Sequence, residues 1–456
     1  MKLGVVILAA GQGTRMKSAL PKVLHPLADK PLLGHVVTVA HKLGSEQIAV
    51  VYGHGGEQVR SAIGDSSLVW VEQTEQLGTG HAVEQAMPAM SEVDRVLVLY
   101  GDVPLTSPET LQNLIQKTAE SDLVLLTVTL ENPTGYGRII RNKAGAVCSI
   151  VEQKDATTEE LAVDEVNTGI LVADRKRLDS WLSKLESGNA QGEFYLTDIV
   201  GMAVADGVEV HSLQTADEYE VMGVNDRVQL AVLERHHRRT QAEKLMRSGV
   251  TLRDPARFDL RGELTTGRDV EIDVNVLIEG SVFLGDGVRI GANTVIRNSS
   301  IAAGVIIKEN CVIEDAQVGE ESIIGPFSRL RPETKLAARV HVGNFVEIKK
   351  STVDEGSKIN HLSYVGDTTV GRTVNIGAGT ITCNYDGVNK FRTVIGDNAF
   401  IGSDSQLVAP VEVGSGATIG AGSTITRNTP ADTLTLSRAK QFSLKSWIRP
   451  TKKSKD

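Results

Sequence analysis

The sequence predicts two folds in one chain: an α/β unit with a mostly parallel sheet, then a solenoid of short stacked parallel strands. The first expectation rests on apolar, β-rich runs that alternate with helix-patterned stretches long enough for crossover connections. The second rests on an aliphatic residue at every sixth position, Ile395, Ile401, Leu407, Val413, Ile419 and Ile425, with Gly396, Gly402 and Gly420 directly after three of them. Small or polar residues between the rungs let one flat coil stack on the next. The step recurs at Ile278, Leu284, Ile290 and Ile296 and at Ile306, Val312, Val318 and Ile324, so the repeat fills roughly the last two fifths of the chain.

In chain order, Leu3 to Leu8, Ile48 to Tyr52, Val96 to Tyr100 and Leu123 to Val128 read as buried strands. Ligands of such sheets sit beyond the carboxyl ends of the strands, so the residues just after each run are candidates for function. Asp226 to Ser248 is charged, carries Leu230, Leu233, Leu245 and Met246 at helical spacing and stops at Gly249. It reads as a connecting helix capped by Asp226, with Gln229 three residues on, and the solenoid is expected to begin near Thr251. The predicted domains are therefore 1–227, a connecting helix 228–250, and 251–456.

Composition narrows the class. Aromatic residues are 4% and glycines number 44, which suits flat small turns better than a large globular core. A net charge of −9 argues against a general affinity for nucleic acid or anionic membrane, so an anionic substrate must be held by local basic groups. Cys148, Cys311 and Cys383 are odd in number and contain no C-x-x-C pair, which argues against a disulfide framework or a zinc site and for a cytoplasmic chain. Val5 to Ala10 is too short to span a bilayer and is followed by no signal-peptidase site. Lys452, Lys453 and Lys455 read as a solvated basic tail.

After the first strand comes Leu8-Ala9-Ala10-Gly11-Gln12-Gly13-Thr14-Arg15-Met16, then Pro21-Lys22. A Gly-rich turn opening a helix offers bare backbone N–H groups to a phosphate, and Arg15 and Lys22 add positive charge. The string is neither a Walker loop nor a dinucleotide fingerprint, because it lacks Gly-Lys-Ser/Thr and Met16 stands where a third Gly belongs. The Tyr100-Gly101-Asp102 strand end places a carboxylate where it either holds Mg²⁺ or caps the next helix. Gln73, Leu77-Gly78-Thr79-Gly80-His81, Gly135-Tyr136-Gly137-Arg138, Val151-Glu152-Gln153-Lys154, Val166-Asn167-Thr168-Gly169 and Gly223-Val224-Asn225 complete the outline of a pocket. In the solenoid, regular rungs read as core and function is expected where the rhythm breaks. Arg329, Arg331, Lys349, His361 and Tyr364 crowd one break, and Ile381-Thr382-Cys383-Asn384-Tyr385-Asp386-Gly387 reads as a projecting loop. Residue chemistry alone reaches "nucleotide plus sugar phosphate" in one half and "acyl donor plus amine" in the other. A solenoid that only oligomerises, and a wholly non-catalytic scaffold, are the alternatives.

The strings LAAGQGTRM with PK, EQLGTGHA, YGDVPL, PTGYGRI, VEQKDAT and NTGI resemble those of sugar-nucleotide pyrophosphorylases. From about Val5 to Arg438 the chain resembles the bacterial bifunctional family of N-acetylglucosamine-1-phosphate uridylyltransferase / glucosamine-1-phosphate acetyltransferase enzymes. The resemblance implies a Rossmann-like nucleotidyltransferase domain and a left-handed parallel β-helix of hexapeptide repeats. It implies that Leu8, Ala9, Ala10, Gly11, Gln73, Gly78 and Thr79 hold the uridine of UTP, with Tyr100 and Gly101 beside them and Arg15 and Lys22 on the phosphates. Gly137, Glu152 and Asn167 would hold N-acetylglucosamine 1-phosphate, and Asp102 and Asn225 would ligate Mg²⁺.

For the solenoid the resemblance implies that His361 is the general base for acetyl transfer from acetyl-CoA to glucosamine 1-phosphate. Arg331, Lys349, Tyr364 and Asn375, with Lys390, would bind the sugar phosphate. Ala378, Asn384, Tyr385, Ser403, Ala421 and Arg438 would bind acetyl-CoA, with the Ala378 N–H as oxyanion donor. A cytoplasmic homotrimer with shared acetyltransferase sites is implied, making UDP-N-acetylglucosamine for peptidoglycan and lipopolysaccharide. Ile359 and Asn360 depart from the smaller residues usual before the base.

Overall fold

The computed structural model describes residues 1–53 and 55–452; Lys453 and Lys455 of the basic tail lie outside them. The chain forms two units, Met1–His237 and Arg238–Asp456, which divide within the helix Arg227–Arg247.

In the first unit the apolar runs become strands: β1 (Leu3–Ala9), β2 (Gln47–Tyr52), β3 (Val69–Glu72), β4 (Arg95–Tyr100) and β5 (Leu123–Thr129). The hairpin β6 (Arg138–Arg141) and β7 (Val147–Val151) is followed by β8 (Glu165–Asp174) and β9 (His211–Gln214). The sheet order is β9-β5-β8-β4-β1-β2-β3, with β6 paired to β8 and β7 to β6. All pairings along that path are parallel except those of β8 with β4 and β5. Both faces are covered, which is why the strands read as continuous apolar runs: Val6 and Leu8 of β1 join one core cluster, and Val5 and Ile7 the other. The chain leaves β1 for β2 and β3 on one side and returns to β4 on the other. This switch point opens a crevice at the carboxyl ends of β1 and β4.

The connecting helix carries Asp226 as its cap, its carboxylate accepting from the N–H groups of Val228 and Gln229. Gln229 returns its Oε1 to the N–H of Asn225, one residue earlier than a capping box on Asp226 requires. Met246 is exposed, and Ala242 is buried in its stead.

The second unit opens with the strand Thr251–Leu252 and continues as a parallel β-helix in which each coil lies on the next in register. Register pairs run Ile278↔Ile296, Ile296↔Ile313 and Ile313↔Leu330 on one face, and Ile272↔Ile290, Ile290↔Ile307 and Ile307↔Ile324 on another. The coils of the first half of the β-helix are 17 or 18 residues long, so one side in some coils spans five residues and not six. The strict hexad phase expected at Ile306 and Val312 is therefore wrong. The core rungs there are Ile307 and Ile313, at 1% and 0% exposure, while Ile306 is 37% exposed. All rungs from Ile395 to Ile425 are buried as expected.

Some buried hydroxyls inside the coil are satisfied by backbone: Ser357 Oγ donates to Gly371 O and accepts from Val374 N. Cys148, Cys311 and Cys383 are free thiols. Among the described residues no helix is long and apolar enough to cross a membrane.

Candidate functional site

The crevice at the ends of β1 and β4 holds a cavity of about 360 Å³. Leu8, Ala9, Ala10, Gly11, Lys22, Gln73, Gly78, Thr79, Tyr100 and Asp102 line it, all expected from the sequence. Gln76, Val23, Ala82 and Glu193 line it as well and were not singled out. Gln76 stands inside the EQLGTGHA string and donates to Ala10 O at 2.8 Å, so the string itself was the available signal. The turn after β1 leads only into the 3₁₀ turn Thr14–Met16, and the next α-helix begins at Leu32. The expected helix N-terminus is absent, and any phosphate there must be met by loop N–H groups and side chains.

At the mouth of this cavity, residues distant in sequence converge. The Lys22 ammonium donates to Asp102 Oδ2 and, at 3.5 Å, to Asn225 Oδ1, which Arg15 Nη2 reaches at 2.9 Å. Val224 N donates to Asp102 O at 2.9 Å, tying the Asn225 loop to the end of β4. Asp102 does not cap the following helix, because Ser107 does so by accepting from Thr110 N. Two oxygen donors thus meet at one cationic nitrogen, a donor set that suits a hard cation completed by substrate oxygens. No cluster of three or more His, Cys, Asp or Glu able to hold a metal exists among the described residues.

Glu152 accepts from Thr197 Oγ1 at 3.1 Å, and burial raises its carboxyl above the usual carboxylate range. Asn167 N donates to Gly137 O at 2.9 Å, which sets the hairpin beside β8. A Cβ on Gly137 would lie 3.4 Å from both Glu152 carboxylate oxygens. The β8 bulge after Asn167 puts Gly169 at φ 84°, where any side chain would strike the Tyr100 ring 2.5 Å away. Burial, then the charges of Glu152 and Asp102, pushes the Tyr100 phenol up. Tyr100 therefore links the Glu152 side of the crevice to the Lys22 cluster.

In the β-helix, His361 ends the strand Lys358–His361 and pairs with Asn344 of the preceding coil. Asn344 Oδ1 lies 3.1 Å from His361 Nδ1. An amide oxygen only accepts, so Nδ1 carries the proton and Nε2 is left as a lone-pair base on an exposed ring. Asn344 was not anticipated; it sits one 17-residue coil before His361, a relation invisible until the coil length is known. Each of Asn344, His361, Ala378, Ser403 and Ala421 lies two residues after a buried rung, Val342, Ile359, Ile376, Ile401 and Ile419. Because those rungs are in register, the five form one column down the helix. Arg438 Nη1 donates to Ala421 O at 2.8 Å at its foot. The Ala378 N–H makes no hydrogen bond within the protein among the described residues.

Arg331 follows the core rung Leu330 as Lys349 follows Ile348, so the two stand one above the other. Arg331 donates to Glu347 Oε1 at 2.7 Å, which raises its pKa. The Lys390 ammonium lies against Lys349 and lowers its pKa, with Arg331 adding to the repulsion. Tyr364 pairs with Glu347 of the preceding coil. Asn375 lies on the face shared with Lys358 and Phe400, off the Arg331–Lys349 column.

The segment expected to project from Ile381 begins later: Ile381–Cys383 is a strand, and Thr382 is a fully buried rung paired with Leu407. Its hydroxyl bonds the backbone of Gly366, which is what makes a polar rung tolerable. The insertion that stretches this coil to 25 residues carries Asn384, Tyr385 and Lys390. Asn384 donates to Asp367, and Tyr385 is 59% exposed.

Residues 5–157 match the MobA-like NTP transferase domain, residues 392–427 the bacterial transferase hexapeptide (six repeats), and residues 260–340 the GMPPB C-terminal domain. The chain is 58% identical over 453 residues to "Bifunctional protein GlmU" of Stutzerimonas stutzeri, covering 99% of this chain and 100% of the relative. It is 59% identical over 450 residues to the protein of the same name from Marinobacter nauticus, 99% of each chain, and 58% identical over 454 residues to that of Ralstonia pickettii, 100% of each. With identity of this level along its whole length, a nucleotidyltransferase fold in the first unit and hexapeptide coils in the second, the chain belongs to the GlmU family of bifunctional enzymes, which join a uridylyltransferase domain to a hexapeptide acetyltransferase domain.

Proposed function

We propose that the first unit transfers uridylyl from UTP to N-acetylglucosamine 1-phosphate and that the β-helix makes this acceptor by acetylating glucosamine 1-phosphate. The observation that carries the reading is that each unit holds its own separate set of groups suited to one of the two reactions. In the crevice, Lys22 lines a cavity together with Gln73, Gly78, Thr79 and Tyr100, and Arg15 joins the Lys22 cluster through Asn225. A phosphate oxygen of the sugar attacks the α-phosphorus of UTP, the new P–O bond forms and pyrophosphate leaves. No covalent enzyme intermediate is needed, so the chain's task is to neutralise and align two anions. Asp102 and Asn225 would hold Mg²⁺, which when bound supplies charge neutralisation at the phosphates.

In the β-helix, Lys349 lies against Lys390, with Arg331 adding to the repulsion and Asp367 only partly offsetting it, a repulsion that a phosphate would relieve, and Arg331 adds a fixed fork. His361 Nε2 accepts a proton from the attacking amine, the N–C bond forms, the C–S bond breaks and the proton passes to the departing thiolate. The Ala378 N–H would face the oxyanion, and acetyl-CoA would run down the column past Ser403 and Ala421 to Arg438, with Asn384 and Tyr385 on the inserted loop. Tyr364 and Asn375 would complete the sugar-phosphate pocket. The exposed apolar side chains Phe327, Phe345 and Leu362, each one residue beyond the column or its continuation, support a homotrimer in which a neighbouring copy covers this open site. A cytoplasmic location fits the free thiols.

Supplying glucosamine 1-phosphate, acetyl-CoA, UTP and Mg²⁺ together should yield UDP-N-acetylglucosamine, pyrophosphate and free CoA. Accumulation of only one set of products would overturn the two-reaction reading.

A further inference from the structure

Gln73 is 4% exposed, and its side-chain amide nitrogen is committed twice: Nε2 lies 3.1 Å from Gly78 O and 3.1 Å from His81 Nδ1. A carboxamide nitrogen only donates, so His81 Nδ1 must be the bare, accepting nitrogen of the ring. Gly78 O is itself held by Ala82 N at 3.2 Å, at the start of the helix Thr79–Ala86, so one anchor is part of the helix framework. With both hydrogens bound, Gln73 has only Oε1 to offer, and that oxygen makes no hydrogen bond within the protein among the described residues. Beside it, the N–H groups of Gly78 and Thr79 are likewise unused. Gly78 has φ 116°, and a Cβ there would lie 2.6 Å from Phe194 O, so this wall of the cavity is bare backbone by necessity.

We propose that His81 is a positioning residue for nucleobase selection, fixing the Gln73 amide with its oxygen toward the cavity. This rests on the uridylyl-transfer reading above. A fixed acceptor beside backbone donors matches uracil, whose N3 carries a hydrogen flanked by carbonyl oxygens. Cytosine presents a bare N3 and an amino group, so it would set acceptor against acceptor. A buried site that pairs its groups with one base leaves them unpaired with the other, which is the strongest basis for discrimination. Removing His81 frees one amide hydrogen and lowers the cost of turning the amide over. His81 does not touch the base in this scheme; it acts through Gln73.

The test is kcat/KM for UTP and for CTP with N-acetylglucosamine 1-phosphate, in wild type, His81→Leu and His81→Asn, with acetyl transfer from the same preparation as a control for folding. Asn carries Oδ1 where His carries Nδ1, so it restores the acceptor. His81→Leu should lower the UTP:CTP ratio by about tenfold, the loss of one anchoring hydrogen bond, whereas His81→Asn should keep it within about twofold. His81→Ala gives the same readout if the Leu variant does not fold. An unchanged ratio in the Leu or Ala variant, equal losses with both nucleotides, or an Asn variant that behaves like Leu would each overturn the proposal. Absence of UTP turnover in the wild type would instead sink the underlying reading.

Discussion

Lys22, in the 3₁₀ turn Lys22–Leu24, and Asp102, eighty residues on and just past the carboxyl end of β4, form an ion pair, and the same ammonium reaches Asn225. The lysine occupies the point on which the carboxylate and the amide oxygen converge, and both side chains of the pair are largely shielded from water at 13% and 16% exposure. The pair thereby fixes the ammonium in the crevice. Lys22→Ala should therefore lower kcat/KM for uridylyl transfer by about a thousandfold, as loss of a preorganised charge at a transferring phosphoryl group does. Acetyl transfer by the same protein should be unchanged. Steady-state kinetics of both half-reactions check this, and equal loss of the two would refute separate sites.

The Asn344–His361 pair makes a second, independent prediction. His361→Ala should abolish acetyl transfer while sparing UTP turnover. Asn344→Leu removes the group that holds the proton on Nδ1, so the ring loses its fixed base tautomer, and acetyl transfer should fall by at least about tenfold. If Asn344→Leu acetylates at the wild-type rate, the tautomer argument fails even if His361 is the base.

How far the sequence carried this picture differs between elements for physical reasons. Strands such as Arg95–Tyr100 were legible because burial on both faces demands an unbroken apolar run, and Asp102 followed from strand-end logic. The coil phase at Ile306 was misread because Ile306-Ile307 and Ile323-Ile324 are doubly apolar, and the 17-residue coil slips a strict hexad by one. Thr382 was misread because a buried hydroxyl is affordable only when the Gly366 backbone is there to receive it, a contact between coils. Asn344 escaped for the same reason: its meaning lies in stacking, not in local sequence. The Lys22–Asp102–Asn225 cluster needed the family motifs, since no short-range pattern brings those three together.

Glu152 supplies a pH prediction. Burial raises its carboxyl, so the group binds a proton at a less acid pH than an ordinary glutamate and then loses the acceptor capacity on which the proposed sugar binding rests. KM for N-acetylglucosamine 1-phosphate should rise as pH falls through that raised value, and Glu152→Gln should flatten the profile. The stability sign is opposite to that of a salt-bridged acid. With the folded pKa above the unfolded one, stability from this group is present below the unfolded pKa and is lost as pH rises through the folded value. Glu152→Gln should then raise Tm at neutral pH by about 2 °C, a gain that fades toward acid pH. Thermal melts across that range decide it, and a lower Tm at neutral pH would contradict the burial argument.

The register of the coils yields the last prediction. Ile313 is fully buried and pairs with Ile296 and Leu330, whereas Ile306, on the outer surface, is 37% exposed although a strict six-residue count would place it inside. In a solenoid each rung packs chiefly on its neighbours above and below, so a hole in one coil is not filled by distant side chains. Ile313→Ala should cost about 3 kcal/mol, the usual toll of deleting a buried branched side chain and leaving a cavity. Ile306→Ala should cost under about 1 kcal/mol, because its side chain already meets water. Chemical denaturation of the two variants measures the difference directly. Equal costs would mean that the 17-residue coil does not shift the phase as described, and the column that aligns Asn344 with His361 would lose its basis.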